Sequence, residues 1–389
     1  GTLRNRPKTW HMGGMAGVMA QTALNRQVYD ASVSPLIPSI VEGDTACCFC
    51  YGHTGAGKTH TVMGYRGEPG LYSLAAADLC HAIGQKNAGL LLQIRFAEIY
   101  NGKVYDLLRG RAECTARQAE DGKVHIRSAA LKDDKGRVTV HPLHALTTDT
   151  QEGLDAIVAQ GMAVRKVGSS SLHDESSRSH ALLYIEVVNR ALLSLRESII
   201  AQEGEVAKAG LPYDDLYLKE QHKMYKLDEE TGQWGPAPLA DYDSEGLARL
   251  KVVVDREAAI LADLQAQEQT VVEECRALGH TVGGTLVLID LAGAEYGITG
   301  GKQVTPKQRR EGQEINKTLL ALKECIRGMH SGAPHVPFRN STLTLVLRQH
   351  LQAEHSRTVM VTNISPSAKH LQKTVNTLQY AALVADASK

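Results

Sequence analysis

Apolar residues gather into short runs, set off by glycine-rich or polar sequence, at Thr45–Tyr51, Leu91–Tyr100, Ala181–Val188 and Gly284–Asp290. Runs of this length bounded by turn residues predict buried strands. Asp155–Lys166, Arg310–Met329 and Thr342–Gln352 instead repeat apolar positions at intervals of three and four, which predicts amphipathic helices. From Val28 onward strand-like and helix-like segments alternate, the order of an α/β fold with helices laid on a sheet. Residues 1–27, rich in Gly, Met and Arg, carry no clean period.

The alternation stops between Val188 and Thr285. Val188, Leu192, Leu195 and Ile199 recur in threes and fours, and the seam resumes at Val206 after a polar break at Gln202. A longer seam runs through Leu247, Leu250, Val254, Leu261, Leu264, Val271, Cys275 and Leu278, interrupted by Glu257 and Glu268. Turn-rich sequence, GLPYDD and then TGQWGPAP, separates the two. Residues 190–282 are therefore expected to form a helical insertion between two core strands, not a second catalytic domain. Two arrangements suit it equally: an antiparallel helical hairpin projecting from a β-hairpin, or helices packed on the domain surface.

Composition narrows the class. The 389 residues carry 43 basic and 43 acidic side chains, so bulk attraction to nucleic acid or membrane is not expected. Cys47, Cys48 and Cys50 crowd one apolar run, while Cys80, Cys114, Cys275 and Cys325 are scattered. An odd total without paired CxxC modules argues against a disulfide framework or a zinc site and suits a reducing cytosolic compartment. No apolar run reaches membrane-spanning length, and the start GTLRNRPKTWHMGG lacks the core of a signal peptide. A soluble intracellular protein is expected.

Three segments carry chemistry. Gly52-His53-Thr54-Gly55-Ala56-Gly57-Lys58-Thr59 fits G-x-x-x-x-G-K-[ST] and lies after an apolar run and before a helix-like one. Glycines let backbone N–H groups close around phosphate oxygens, and the helix start adds its positive end. Lys58 can reach the β- and γ-phosphates and the Thr59 hydroxyl can ligate Mg2+. Asp290-Leu291-Ala292-Gly293-Ala294-Glu295 follows a second apolar run. A carboxylate there can hold Mg2+ through water, and the glycine can offer its N–H to a γ-phosphate. On its own such an Asp is more often a turn or cap residue. The third segment, Ser176-Ser177-Arg178-Ser179-His180, offers hydroxyls and a cation before a strand.

Together GHTGAGKTHTV, SSRSH and DLAGAE resemble, in order and relative placement, the P-loop, switch I and switch II of the kinesin motor domain. FAEIYNGKVYDLL is similar to the strand–helix segment after that P-loop, and EGQEINKTLLALKECIRGM to the switch II helix. HVPFRNSTLTLVLRQHL and NTLQYAALVAD resemble the segments that close the motor, so the likeness runs from Val28 to Ala387 apart from the insertion. ALKECIR resembles the internal-motor class that depolymerises microtubule ends.

The resemblance implies a P-loop NTPase fold of the kinesin type, a sheet of about eight strands flanked by helices on both faces. It implies ATP or ADP with Mg2+ held by Gly52 through Thr59 and by His60, with Thr59, Ser177 and Asp290 around the metal. Ser176 would place the attacking water, Gly293 would sense the γ-phosphate, and Arg178 would pair with Glu295 to close the site. The helix bearing Asn316, Lys317, Lys323 and Arg327, with Arg339 beyond it, would face tubulin. The implied function is a microtubule-stimulated ATP hydrolase of the cytoplasm and cytoskeleton. The alternative is a slow or inactive structural protein on microtubules, with the insertion meeting a further protein in an array such as a ciliary axoneme.

Four departures bear on these expectations. His53 stands where the P-loop usually has Gln, while His173 and Ala294 replace the usual switch I Asn and switch II Ser. Thr342 and Leu345 occupy positions where cations commonly meet acidic tubulin, which would weaken docking. Arg4-Asn5-Arg6-Pro7 resembles the motif that packs on adenine, yet too few residues separate it from Val28.

Overall fold

The computed structural model describes residues 15–386 except 87, 119–121, 123, 129–130, 133–137, 140, 168–174, 295–305 and 353–354. The chain divides into two compact units, residues 1–128, 142–187 and 282–389 in the first, and 129–141 and 188–281 in the second. The first begins with α1 (Asn25–Ser32), α2 (Ile37–Val41), β1 (Thr45–Tyr51) and α3 (Lys58–Met63). A two-residue hairpin, β2–β3 (Gly64–Tyr65 and Glu68–Pro69), and α4 (Leu71–Lys86) follow. Next come β4 (Leu91–Tyr100), β5 (Lys103–Asp106), β6 (Ala112–Gln118) and β7 (Val124–Ser128). A second short hairpin, β8–β9 (Leu131–Lys132 and Val138–Thr139), belongs to the second unit. The first resumes with β10 (Ala145–Thr148), α5 (Gln151–Val167) and β11 (His180–Val188). After the second unit's helices it ends with β14 (Thr285–Asp290), α8 (Pro306–His330), α9 (Thr342–Leu351), β15 (Arg357–Thr362) and α10 (Leu371–Asp386).

Nine strands form one mixed sheet in the order β15-β1-β14-β11-β4-β5-β6-β7, with β10 paired to β4. The apolar runs at its centre are buried on both faces, which is why they read as continuous rather than alternating. FAEIYNGKVYDLL is a β-hairpin, β4 into β5, where a strand and helix were expected. Asn101 (φ 51°) and Gly102 (φ 77°) supply the left-handed turn that sends the chain straight back. Burial pushes the Cys47 and Cys48 thiols up to about 12, so these β1 side chains behave as small apolar residues.

Register positions the site. β1 runs parallel to β14 with Cys50 opposite Asp290, and β11 runs antiparallel to β14 with Ala181 opposite Asp290. The exits of β1 and β14 and the entry of β11 therefore meet at one edge. All three chemistry-bearing segments, far apart in sequence, begin or end there, outside the strand ends where an open α/β sheet places its ligand site.

The second unit is built on two antiparallel helices, α6 (Arg190–Glu220) and α7 (Ser244–Ala277), joined through a hairpin of β12 (Tyr225–Leu227) and β13 (Trp234–Pro236). The polar interruptions of the seams are cross-helix rungs: Arg196 Nε donates to Glu268 at 2.6 Å, and Gln202 Nε2 donates to Glu257 at 2.9 Å. GLPYDD, expected as a turn, lies inside α6, with Pro212 in the helix. The packed pair carries the helix past a residue whose local preference would end it. Asn189 caps α6 by accepting from Leu192 N at 2.8 Å, and Asp243 caps α7 by accepting from Gly246 N at 2.8 Å.

Candidate functional site

The loop 52–57 leaves β1 and feeds α3. Gly55 (φ 81°) and Gly57 (φ 99°) hold left-handed backbone that an ordinary side chain would strain. A Cβ on Gly52 would strike the Asn363 carbonyl oxygen at 2.3 Å, so only glycine fits where the loop passes β15's exit. The Lys58 ammonium is buried and folds back on its own loop, donating to the carbonyls of Gly52 and His53 at 3.1 Å each. His53 is buried, its Nδ1 donating to Thr54 O at 2.7 Å, and desolvation lowers its pKa. The His60 side chain turns elsewhere: its Nε2 stands 3.2 Å from Glu68 Oε2.

Asp290 ends β14 beside this loop. Its Oδ2 accepts from Thr59 Oγ1 at 2.8 Å and from Arg165 Nη1 at 3.1 Å, while its buried Oδ1 has no hydrogen-bond partner. Gly293 N donates to the Ser177 carbonyl at 2.9 Å, and Ala294 N donates to Gly52 O at 3.2 Å. A Cβ on Gly293 would meet Thr54 Oγ1 at 2.2 Å, so glycine is required where this loop crosses the phosphate loop. Ser176, Ser177 and Arg178 lie in a short 3-10 turn, Glu175–Arg178. Ser177, Gly293, Asp290, Lys58 and Thr59 are thus brought to one edge of the sheet.

Glu295 and His173 lie outside the described residues, as does Arg4-Asn5-Arg6-Pro7. Arg178 Nη1 donates to Glu311 Oε2 at 3.2 Å, and Tyr100 OH donates to Glu311 Oε1 at 2.6 Å. Glu311 begins the buried face of α8, which continues through Ile315, Leu319, Leu322 and Cys325. The opposite face exposes Lys317, Leu320 and Arg327, with Lys323 half-buried at its margin. Arg339 is exposed and donates from Nε and Nη2 to Gln118 Oε1 at 3.1 and 2.8 Å. Thr342 is tied to the β4–β5 turn through Gly102 O at 2.6 Å.

Three residues received no role from the sequence, although two of them, His180 and Glu311, lie inside its motifs. Arg165 is fully buried on α5; besides Asp290 it donates from Nη2 to Ser179 O at 3.0 Å and lies 3.8 Å from Glu98. His180 Nδ1 accepts from Ala292 N at 3.0 Å, and burial, with Arg165 and Lys58 nearby, pushes its pKa down to about 3. Glu311 is the third. A signal did exist: Leu154, Val158, Gly161 and Arg165 share one helical face, as do Glu311, Ile315 and Leu322. A charge in an apolar stripe marks a buried ion partner.

This geometry defines a P-loop nucleotide-binding protein: a strand–glycine loop–helix cradle, a buried lysine, and a strand-end carboxylate hydrogen-bonded to the P-loop threonine. The chain belongs to the kinesin motor family, whose "Kinesin motor domain" model matches residues 6–210 and 260–386. It is similar to the kinesin-like protein KIF24 of Mus musculus, 29% identical over 374 residues, 96% of this chain and 20% of that protein. It also matches KIN-13B of Arabidopsis thaliana, 32% identical over 375 residues, 96% of this chain and 40% of that protein. KIN-13A of Oryza sativa subsp. japonica is likewise 32% identical over 378 residues, 96% of this chain and 35% of that protein. The chain therefore spans from a fifth to two fifths of these relatives' lengths.

Solved kinesin structures share the fold. A fast kinesin superposes with a TM-score of 0.58 at 22% identity, covering 93% of this chain and 76% of that one. The Kar3Vik1 motor and motor homology domain gives 0.57 at 24%, covering 94% and 69%. Kinesin motor domains bind ATP or ADP with Mg2+, hydrolyse ATP and associate with microtubules of the cytoskeleton.

The residues present fit that cofactor pair. Asp290 Oδ1 is an orphaned buried acceptor of the kind a metal-bound water satisfies, and the Thr59 hydroxyl stands beside it.

Proposed function

We propose that this chain couples ATP binding and hydrolysis to microtubule attachment. The observation that carries the reading is the tie of both switch segments to each other and to α8: Ser177 O to Gly293 N, and Arg178 to Glu311. The N–H groups of 52–58 and the Lys58 ammonium would hold the phosphates, and Thr59, Ser177 and Asp290 would surround Mg2+. The bound metal supplies neutralisation of charge on the transferred phosphoryl group. Ser176 would place the attacking water.

Gly293 N–H is engaged by the Ser177 carbonyl, so that bond must open before the amide can serve a γ-phosphate. With that bond open, Arg178 would either keep Glu311 or exchange it for Glu295 to close the site. Lys317, Lys323, Arg327 and Arg339 would meet the acidic track. The insertion would contact a further protein, in a stable array such as a cilium. The ALKECIR run and the KIN-13 relatives support assignment to the end-depolymerising class.

The test is ATP turnover with and without taxol-stabilised microtubules, alongside co-sedimentation and filament length. Stimulated turnover, with binding that differs between ATP and ADP, is expected. Turnover indifferent to microtubules overturns the coupling, and unchanged filament length overturns the class assignment.

A further inference from the structure

The hairpin between α6 and α7 presents an apolar face with no cover among the described residues. β12 and β13 pair Tyr225 with Pro236, Lys226 with Gly235, and Leu227 with Trp234. Alternation along a strand then puts Tyr225, Leu227, Trp234 and Pro236 on one side of the ribbon and Lys226 on the other. Tyr225, Leu227 and Trp234 are 55%, 50% and 70% exposed. A two-stranded ribbon is marginal in water, and one that holds a tryptophan open has the character of an unfilled contact. The family model breaks off at residue 210 and resumes at 260, so the whole ribbon lies in sequence which that model does not match.

Charge selects the occupant. Asp228, Glu229 and Glu230 form the exposed turn, where Asp228 Oδ1 accepts from the N–H groups of Glu230 and Thr231 at 2.9 and 3.0 Å. Those bonds hold the Asp228 carboxyl below its usual range, so the turn stays anionic. Lys226, on the opposite face, is paired with Asp241. From Leu211 to Leu247, nine carboxylates face three lysines. An acidic surface repels the acidic microtubule wall and anionic membranes alike. Carboxylates beside open indole and phenol rings instead suit guanidinium or ammonium groups, through charge-assisted hydrogen bonds and cation–π contact.

We propose that the Tyr225–Pro236 ribbon is a docking surface for an extended segment of a partner protein in which arginine or lysine alternates with aliphatic residues. Such a segment adds a third strand, covers Trp234 and neutralises the turn. The inference rests on the reading that the insertion meets a further protein and gives that partner its chemistry; it is independent of the ATPase reading.

The test uses the whole chain with Trp10→Phe, which leaves Trp234 as the reporter of the two tryptophans. The probes are a synthetic peptide alternating arginine with valine and one of equal length with glutamate for arginine. The arginine peptide is expected to shift Trp234 emission and bind about tenfold or more tightly than the glutamate peptide, weakening with salt. Measured by calorimetry, Trp234→Ser should lower its affinity about thirtyfold, and Trp234→Phe should retain most of it. Asp228→Asn with Glu229→Gln and Glu230→Gln should erase the preference for arginine while Asn keeps the turn. Microtubule-stimulated turnover should be unchanged in every variant, which separates this inference from the motor reading. Equal binding of the two peptides overturns the proposal. So does loss of microtubule co-sedimentation in Trp234→Ser, or a dimer of the parent chain that this substitution dissolves.

Discussion

Thr59 Oγ1 donates to Asp290 Oδ2 at 2.8 Å across 231 residues of sequence. The bond joins the loop after β1 to the end of β14, and it exists because β1 and β14 are parallel neighbours with Cys50 opposite Asp290.

Lys58→Ala removes the only ammonium of the phosphate loop. Nucleotide affinity should fall by about a hundredfold, the worth of one or two charge-assisted hydrogen bonds to phosphate. Titration with a fluorescent ADP analogue measures it, and affinity like that of the parent contradicts the site.

Arg165→Met should destabilise the fold by about 3–5 kcal/mol, because Asp290 loses its guanidinium partner while buried, whereas Glu98 keeps Arg111 at 2.7 Å. Arg165→Lys should recover little, since one ammonium cannot reach Asp290 and Ser179 together as the guanidinium fork does. Urea midpoints of the three proteins decide this.

Glu311→Ala removes the α8 carboxylate that accepts from Arg178 Nη1 and from the Tyr100 hydroxyl. Microtubule-stimulated turnover should fall about tenfold, a loss of about 1.4 kcal/mol in the activated step. ADP affinity should move less than turnover, because Glu311 touches the switch arginine and not the phosphate loop. An equal loss in both would place Glu311 in the binding site proper.

His180 is neutral in the fold, with a pKa of about 3 against an ordinary value of 6.5. Between these values the unfolded chain binds more protons than the folded one, so stability rises with pH across that window. The contribution is complete above pH 6.5 and is lost as pH falls, by about 3 kcal/mol at pH 4. Protonation would also set a second donor against the Ala292 N–H. His180→Asn should flatten this part of the stability curve, measured by denaturant unfolding at several pH values.

Deleting residues 190–280 should leave the first unit folding in one cooperative step. β11 and β14 remain antiparallel neighbours, with Val187 N donating to Gly284 O at 2.9 Å and Gly283 N to Val187 O at 2.7 Å. Shortening the connection changes loop entropy by only about 0.6 kcal/mol per halving. Loss of cooperativity by calorimetry would make the insertion part of the core.

Much of this was legible in local sequence. The buried strands announced themselves because both their faces are covered, leaving no polar alternation to obscure them. The phosphate loop was legible because Gly55 and Gly57 are demanded by backbone angles, a requirement written at single positions. Local reading failed where packing overruled it. GLPYDD carries turn residues, yet α7 lies along α6 and holds it helical through Pro212. Glu257 and Glu268 interrupted an apolar seam until α6 supplied Gln202 and Arg196.

Sequence by itself therefore determined the form of the loop between β1 and α3, since its glycines, lysine and threonine are contiguous and their order dictates the cradle. Tertiary structure alone decided the partners of the buried charges. Arg165 meets Asp290 across 125 residues and Arg178 meets Glu311 across 133, by sheet register and helix packing that no local pattern encodes. The physical reason is that a buried charge is fixed by whatever opposite charge the fold brings within reach, whereas a phosphate cradle is fixed by the chain's own backbone.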